Sequence, residues 1–294
     1  MDTPLTRDDA ARPQGPEVQP PNTTMTWRRT LFSWLRTLLI GYLGIVLLMM
    51  LFENWLMYPA TRDMQPPPCA EVEDVHLTCA NGTRIHAWWL PCANSKSTLL
   101  YLHGNGGNLT WRGGSIMKLR DRLDVSVLIV DYPGYGRSEG RPSEQGCYET
   151  ADAGYTWLVE KQGVKSADLL IYGDSLGGGV AVDLASRRPH RALVLIRTFT
   201  SAPDVGAGVF PWLPVRWMMR NRFASIEKIQ QCGSPVFAAH GDVDDVVPFA
   251  LGKALFEAAS EPKHFHLMPG ARHNDPLPDA MFVALKSFLA KHAP

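Results

Sequence analysis

Residues 170–179 read Leu-Ile-Tyr-Gly-Asp-Ser-Leu-Gly-Gly-Gly and set Ser175 between Asp174 and Leu176, with Gly173 and Gly177 outside them. A serine hydroxyl is a weak nucleophile until a base takes its proton, and the base must be oriented by a carboxylate. His273, in the stretch Pro-Gly-Ala-Arg-His-Asn-Asp after the last apolar run, fits the base. The other histidines fit worse: His264 and His266 lie inside that run, His76 and His86 in an N-terminal hairpin, and His292 in the C-terminal tail. For the acid, the stretch Ala-Ala-His-Gly-Asp-Val-Asp-Asp-Val-Val-Pro offers Asp242, Asp244 and Asp245. Asp244, the third residue after Gly241, is the choice, with Asp242 and Asp245 as its alternates. Such a set does acyl transfer through a covalent acyl-serine.

The oxyanion of that reaction needs two N–H donors fixed in advance. One is the backbone N–H of Leu176, the residue after the nucleophile. The other is expected from a glycine-rich loop after an inner strand, and Leu-His-Gly-Asn-Gly-Gly-Asn at 102–108 supplies one, with the Asn105 N–H as donor. A phosphate-cradling loop is the rival for that stretch, but it lacks the closing Lys-Ser/Thr.

These loops need elements to aim them. Apolar runs at 97–103, 126–131, 168–173, 192–197, 235–241 and 263–270 alternate with helical spacing at 149–161, 176–188 and 249–259. Short Val/Ile/Leu-rich strands alternating with helices predict an α/β fold: a mostly parallel sheet covered on both faces, with active groups at the carboxyl ends of its strands. Ser175 then falls just past a strand and at the head of a helix. A sharp strand-to-helix turn there tolerates no bulky neighbours, which accounts for the flanking glycines, and it faces the hydroxyl toward free helical N–H groups. An ordinary glycine-rich turn would need none of the downstream partners.

The rest of the chain bounds the role. Lys plus Arg and Asp plus Glu number 29 each in 294 residues, so no basic field for nucleic acid is present, and 45% hydrophobic residues suffice for a sizeable core. Residues 1–26, rich in Pro, Thr and Asp, read as a disordered tail. Residues 37–52 carry no charge, and with Arg36, Trp55 and Tyr58 as interfacial flanks they predict one transmembrane helix over 35–57. Arg28, Arg29 and Arg36 precede it, which puts the N-terminus in the cytoplasm and the catalytic domain across the membrane. The five cysteines contain no C-x-x-C pair, so neither a metal nor another cofactor is implied. An Asn81-Gly82 turn would set Cys69 and Cys92 on a diagonal of the hairpin, close enough to bridge, with free buried thiols as the alternative.

The stretches at 102–108, 131–140, 172–179, 240–248 and 270–275 together resemble the α/β-hydrolase superfamily. In particular they look like the Bem46-like, membrane-anchored serine hydrolases related to the serine aminopeptidase S33 domain. The likeness runs over about 66–294, and by position it implies Ser175 as nucleophile, Asp244 as acid in a G-x-x-D-x-x-V-P pattern and His273 as base. Relatives often carry an acid where this chain has Arg197, and Asp131 and Arg137 read as loop-organising groups. Such folds insert a lid at about 199–231, and here Trp212, Trp217, Met218, Met219 and Phe223 are expected to wall an acyl pocket, dip toward the membrane or simply close the core. A pocket so walled would favour medium to long acyl chains over acetyl esters and aminoacyl amides.

The function so read is hydrolysis of an ester or thioester, with amides second, on a small-molecule or lipid-like acyl substrate. Transfer of the acyl group to an acceptor other than water is the rival chemistry, and a non-catalytic anchored scaffold is the rival class.

Overall fold

The computed structural model describes Gly15 and residues 23–93 and 95–293. Eight strands form one sheet: β1 (Glu73–Thr78), β2 (Arg84–Leu90), β3 (Ser97–Leu102), β4 (Val125–Val130), β5 (Leu169–Asp174), β6 (Ala192–Ile196), β7 (Val236–Gly241) and β8 (Lys263–Met268). Their order is β1-β2-β4-β3-β5-β6-β7-β8. The first two pairings are antiparallel and all those from β4 to β8 are parallel. Helices α1 (Thr23–Leu51) and α2 (Glu53–Met57) precede the sheet. Along it follow α3 (Gly113–Leu123), α4 (Glu144–Thr156), α5 (Leu176–Arg187), α6 (Ala202–Val209), α7 (Val215–Met218), α8 (Ser225–Lys228), α9 (Phe249–Ala258) and α10 (Asp279–His292).

Burial of both sheet faces explains why the inner strands read as unbroken apolar runs. Leu100, Leu102, Ile171 and Leu195 pack with Ala151 of α4, Val180 of α5 and Leu255 of α9 in one core layer. Their strand neighbours Leu99, Tyr101, Tyr172 and Val194 pack with Ile116 of α3 and Phe282 and Leu285 of α10 in the other. Two-residue periodicity thus divides each strand between two layers.

Two expectations shift. The β1–β2 register pairs Thr78 with Arg84, one residue away from that of a two-residue Asn81-Gly82 turn. The Gly82 N–H bonds the Cys79 carbonyl, and Gly82 takes the left-handed φ of 87° that a longer loop closing in a bulge requires. Cys69 and Cys92 are free thiols, Cys69 Sγ lying 3.6 Å from Met117 Sδ.

The second concerns the chain's beginning. Of the tail read at 1–26, residues 1–14 and 16–22 lie outside the described residues, and helix begins at Thr23. Within α1, Trp27–Leu51 runs 25 residues and holds an 18-residue window of mean hydropathy 2.0, long and apolar enough to cross a membrane. The helix stops at Leu51, short of the expected 57, and the chain divides into compact units between Leu48 and Met49. The reason is Glu53. Its carboxylate is buried and accepts from Asn221 N at 2.8 Å, Arg220 N at 2.9 Å, Asn221 Nδ2 at 2.9 Å and Arg220 Nε at 3.0 Å. Tyr58 is also buried, donating to Asn221 Oδ1 at 2.8 Å. Residues 53–58 therefore belong to the folded unit with the sheet, which begins well before 66.

Candidate active site

Strand β5 delivers Ser175 into a turn with φ 53° and ψ −118°, a region a residue with a side chain occupies only when its surroundings dictate it. What dictates it is close backbone approach. A Cβ on Gly177 would collide with the Leu102 carbonyl and one on Gly173 with the Gly177 carbonyl, so β3, β5 and α5 meet here without room for a methyl. The Ser175 N–H is fixed by the Ile196 carbonyl at 2.8 Å, and its own carbonyl accepts from Thr198 Oγ1 at 2.9 Å.

The structure brings Ser175, His273 and Asp244 together in series. His273 Nε2 is 3.0 Å from Ser175 Oγ, while Nδ1 faces Asp244 Oδ2 at 2.8 Å and Oδ1 at 3.0 Å. The imidazole is buried, and the Asp244 side chain is 0% exposed. Burial works against the Asp244 charge, but hydrogen bonds from His240 and His273 and from the Val246 and Val247 N–H groups outweigh it and hold the carboxyl well below the usual range. Asp242 and Asp245 do not compete for the imidazole. Asp242 accepts from Gly270 N at 2.6 Å, and Asp245, 55% exposed, accepts from the His273 backbone N–H at 3.4 Å and lies 4.0 Å from Arg272 Nη1.

Asn105 sits in the loop after β3, and its side chain fastens that loop. Its Oδ1 accepts from Tyr135 Oη at 2.7 Å and Gly106 N at 3.0 Å, and its Nδ2 donates to the Met57 carbonyl at 2.5 Å. Leu176 opens α5 and is buried. Behind the loop, Asp131 accepts from Leu109 N at 2.7 Å, with His103 Nε2 3.3 Å away. Arg137, by contrast, pairs with Asp74 on the surface.

Arg197 has a role the sequence did not disclose. It also sits at positive φ, 50°, and its guanidinium grips Asp174 Oδ2 at 2.8 Å and Oδ1 at 3.3 Å, the Asp275 carbonyl at 3.0 Å and the His273 carbonyl. One side chain thereby ties the turn that carries Ser175 to the loop that carries His273. A signal was present in the unusual Arg197 and the acidic Asp174 beside the serine, but only the fold sets them face to face.

A cavity of about 550 Å³ opens beside Ser175. Its walls are the loop after β3, with Asn105, Trp111 and Arg112, the α3 residues Lys118 and Leu119, and the 273–277 loop with Phe282 of α10. The segment 199–231, expected to be a lid, forms the short helices α6, α7 and α8 and a 3-10 turn between β6 and β7, and none of its residues lines this cavity. It is held elsewhere. Arg222 N and Phe223 N donate to Glu144 at 2.5 and 2.9 Å, Arg220 and Asn221 engage Glu53, and Trp217 remains 92% exposed.

A serine, a buried imidazole and a buried carboxylate in series at strand ends, beside a cavity, form an arrangement that can carry out hydrolytic acyl transfer. The sequence profile of the alpha/beta hydrolase fold matches residues 97–228. An alpha/beta hydrolase domain-containing protein 17B of Xenopus laevis is 35% identical over 214 residues, 72% of this chain and 73% of that one. An uncharacterized protein of Mycobacterium tuberculosis is 41% identical over 225 residues, 75% of this chain and 80% of its own length. The chain belongs to the alpha/beta hydrolase family. Among solved structures, an esterase of Pyrococcus furiosus superposes with a TM-score of 0.67 at 18% identity, over 81% of this chain and 98% of that one.

Proposed function

We propose that this hydrolase is a membrane-anchored serine hydrolase of the Bem46-like group, cleaving an ester or thioester through an acyl-Ser175 intermediate. The observation that carries the reading is the unbroken hydrogen-bonded series from Ser175 Oγ through His273 to Asp244 at the edge of a cavity. In the first half-reaction Ser175 Oγ attacks the carbonyl carbon and its proton passes to His273 Nε2. Asp244 fixes the Nδ1–H tautomer and stabilises the imidazolium. Charge on the former carbonyl oxygen falls to the Asn105 and Leu176 N–H groups. His273 then returns the proton to the leaving alcohol or thiol, and water attacks the acyl-serine by the same route in reverse.

Anchoring rests on Trp27–Leu51, and the arginines at 28, 29 and 36 favour a cytoplasmic N-terminus with the hydrolase unit on the opposite side. The chain-length preference argued from an aromatic lid loses its basis, because that segment does not line the cavity. Purified full-length protein should release alcohol or thiol from simple aryl esters or thioesters, and Ser175→Ala should not. Equal turnover by both would refute the reading.

A further inference from the structure

Three cationic side chains line the cavity beside Ser175: Arg112, Lys118 and Arg197. Two of them are spent on the protein. Arg197 is consumed by Asp174 and by the carbonyls of His273 and Asp275. Lys118 Nζ donates to the Leu277 carbonyl at 2.6 Å and lies 3.7 Å from Asp279. The acids in the wall are engaged too, Asp174 by Arg197 and Asp275 by the Arg272 N–H at 2.8 Å.

Arg112 stands apart. No carboxylate among the described residues pairs with it, and its Nη2 reaches only two carbonyls, Gly106 at 3.4 Å and Gly104 at 3.5 Å. Its Nε is closed off from solvent with no acceptor at all. A half-desolvated guanidinium with unspent donors is costly to keep unless something that visits the site supplies the acceptors. Its planar fork matches the two oxygens of a carboxylate or phosphate. The place is also telling. Gly104 and Gly106 flank Asn105, and a Cβ on Gly104 would lie 3.3 Å from Ser175 Cβ, so the guanidinium and Ser175 both border Gly104 in the wall of one cavity. Trp111, Leu119, Leu277 and Phe282 supply apolar wall beyond it.

We propose that Arg112 binds an anionic group, carboxylate or phosphate-like, on the ester or thioester that Ser175 attacks. This rests on the serine-hydrolase reading of the site, and it makes Arg112 a specificity residue of that site.

The test uses full-length protein and aryl esters of one acyl length whose far ends are methyl, carboxylate, phosphonate or ammonium. Wild type should prefer the two anionic esters over the methyl one by about tenfold to a hundredfold in kcat/KM, expressed mainly in KM, with the ammonium ester poorest. The carboxylate-to-phosphonate ratio tells which oxyanion the fork fits. Arg112→Gln should erase that preference, and Arg112→Lys should restore part of it. No anionic preference in wild type, or an equal loss on every ester in Arg112→Gln, overturns the proposal and leaves Arg112 as a brace for the loop. Calorimetric binding of the monomethyl ester of a dicarboxylic acid to Ser175→Ala separates the two readings. Binding that depends on Arg112 supports the anion site even if catalysis by Ser175 fails, and binding indifferent to Arg112 removes it even if catalysis stands.

Discussion

Two regions of this chain are dense in signals, and the fold uses them differently. Around Ser175 the groups come from far apart in sequence, β5, β6, β7 and the loop after β8, and converge on one hydrogen-bonded series. Residues 209–223 are crowded with aromatic and sulfur side chains, yet they lie away from the cavity, fastened to Glu53 and Glu144 with Trp217 almost bare. Composition tells what a segment can pack against. Which cavity it faces is set by its anchoring hydrogen bonds.

If the first region is the machine, its members act as a unit. Ser175→Ala or His273→Ala should each lower turnover by about 10⁴-fold or more, and the double variant should lose little beyond either. Asp244→Asn should cost about 10⁴-fold by leaving the imidazole in the wrong tautomer, while Asp242→Asn and Asp245→Asn stay mild. Because the folded Asp244 carboxyl is held below its ordinary 3.8, its ionisation stabilises the fold at pH above that value, and this contribution is lost as pH falls through the folded pKa. The stability gap between wild type and Asp244→Asn should therefore stay level from neutral pH down to about pH 5 and close only in stronger acid.

Arg197 sharpens the comparison at the next level. Arg197→Met leaves Asp174 unpaired and releases the loop that carries His273, and a base misplaced by about 1 Å costs on the order of 10²-fold in kcat. Arg197→Lys should recover only part of it, since a point charge cannot span Asp174 and two carbonyls. A kcat unchanged by both would mean the loop is held without it.

In the second region the effect should fall on stability instead of turnover. Glu53→Ala strands the buried Asn221 donors and should lower unfolding free energy by about 1–3 kcal/mol in urea titrations, with kcat preserved in the folded fraction. A chain beginning at Met49 should match the full-length protein in stability, whereas one beginning at residue 66, lacking Glu53 and Tyr58, should not. Smallest of all, Trp212→Ala and Trp217→Ala should shift kcat/KM on soluble esters by no more than about twofold. A large loss there would return the segment to the cavity.

What could be read beforehand follows the same division. The turn around Ser175 is local: strand, two glycines and helix lie within a dozen residues, and the close contacts of Gly173 and Gly177 are the physical content of that pattern. The strands were legible because burial on both faces leaves unbroken apolar runs. Helices α3 and α10, which wall the cavity, left weaker traces. The first opens on Gly113-Gly114 with a mixed surface, and the second packs beside α3 on the same face of the sheet, where Arg122 meets Asp279 from 157 residues away in sequence. Arg112 and Arg197 were invisible as site residues for the same reason, since their significance lies in which partners the tertiary fold gives or withholds. The hairpin register hung on Gly82 alone, where one extra loop residue moves every pair.

The central claim is that Ser175 is the acyl-accepting nucleophile, and covalent trapping reaches it most directly. Full-length protein treated with a fluorophosphonate should gain a single adduct mass, which peptide mapping locates on Ser175, and His273→Ala should label far more slowly. No adduct, or an adduct on another residue that persists in Ser175→Ala, would contradict the account.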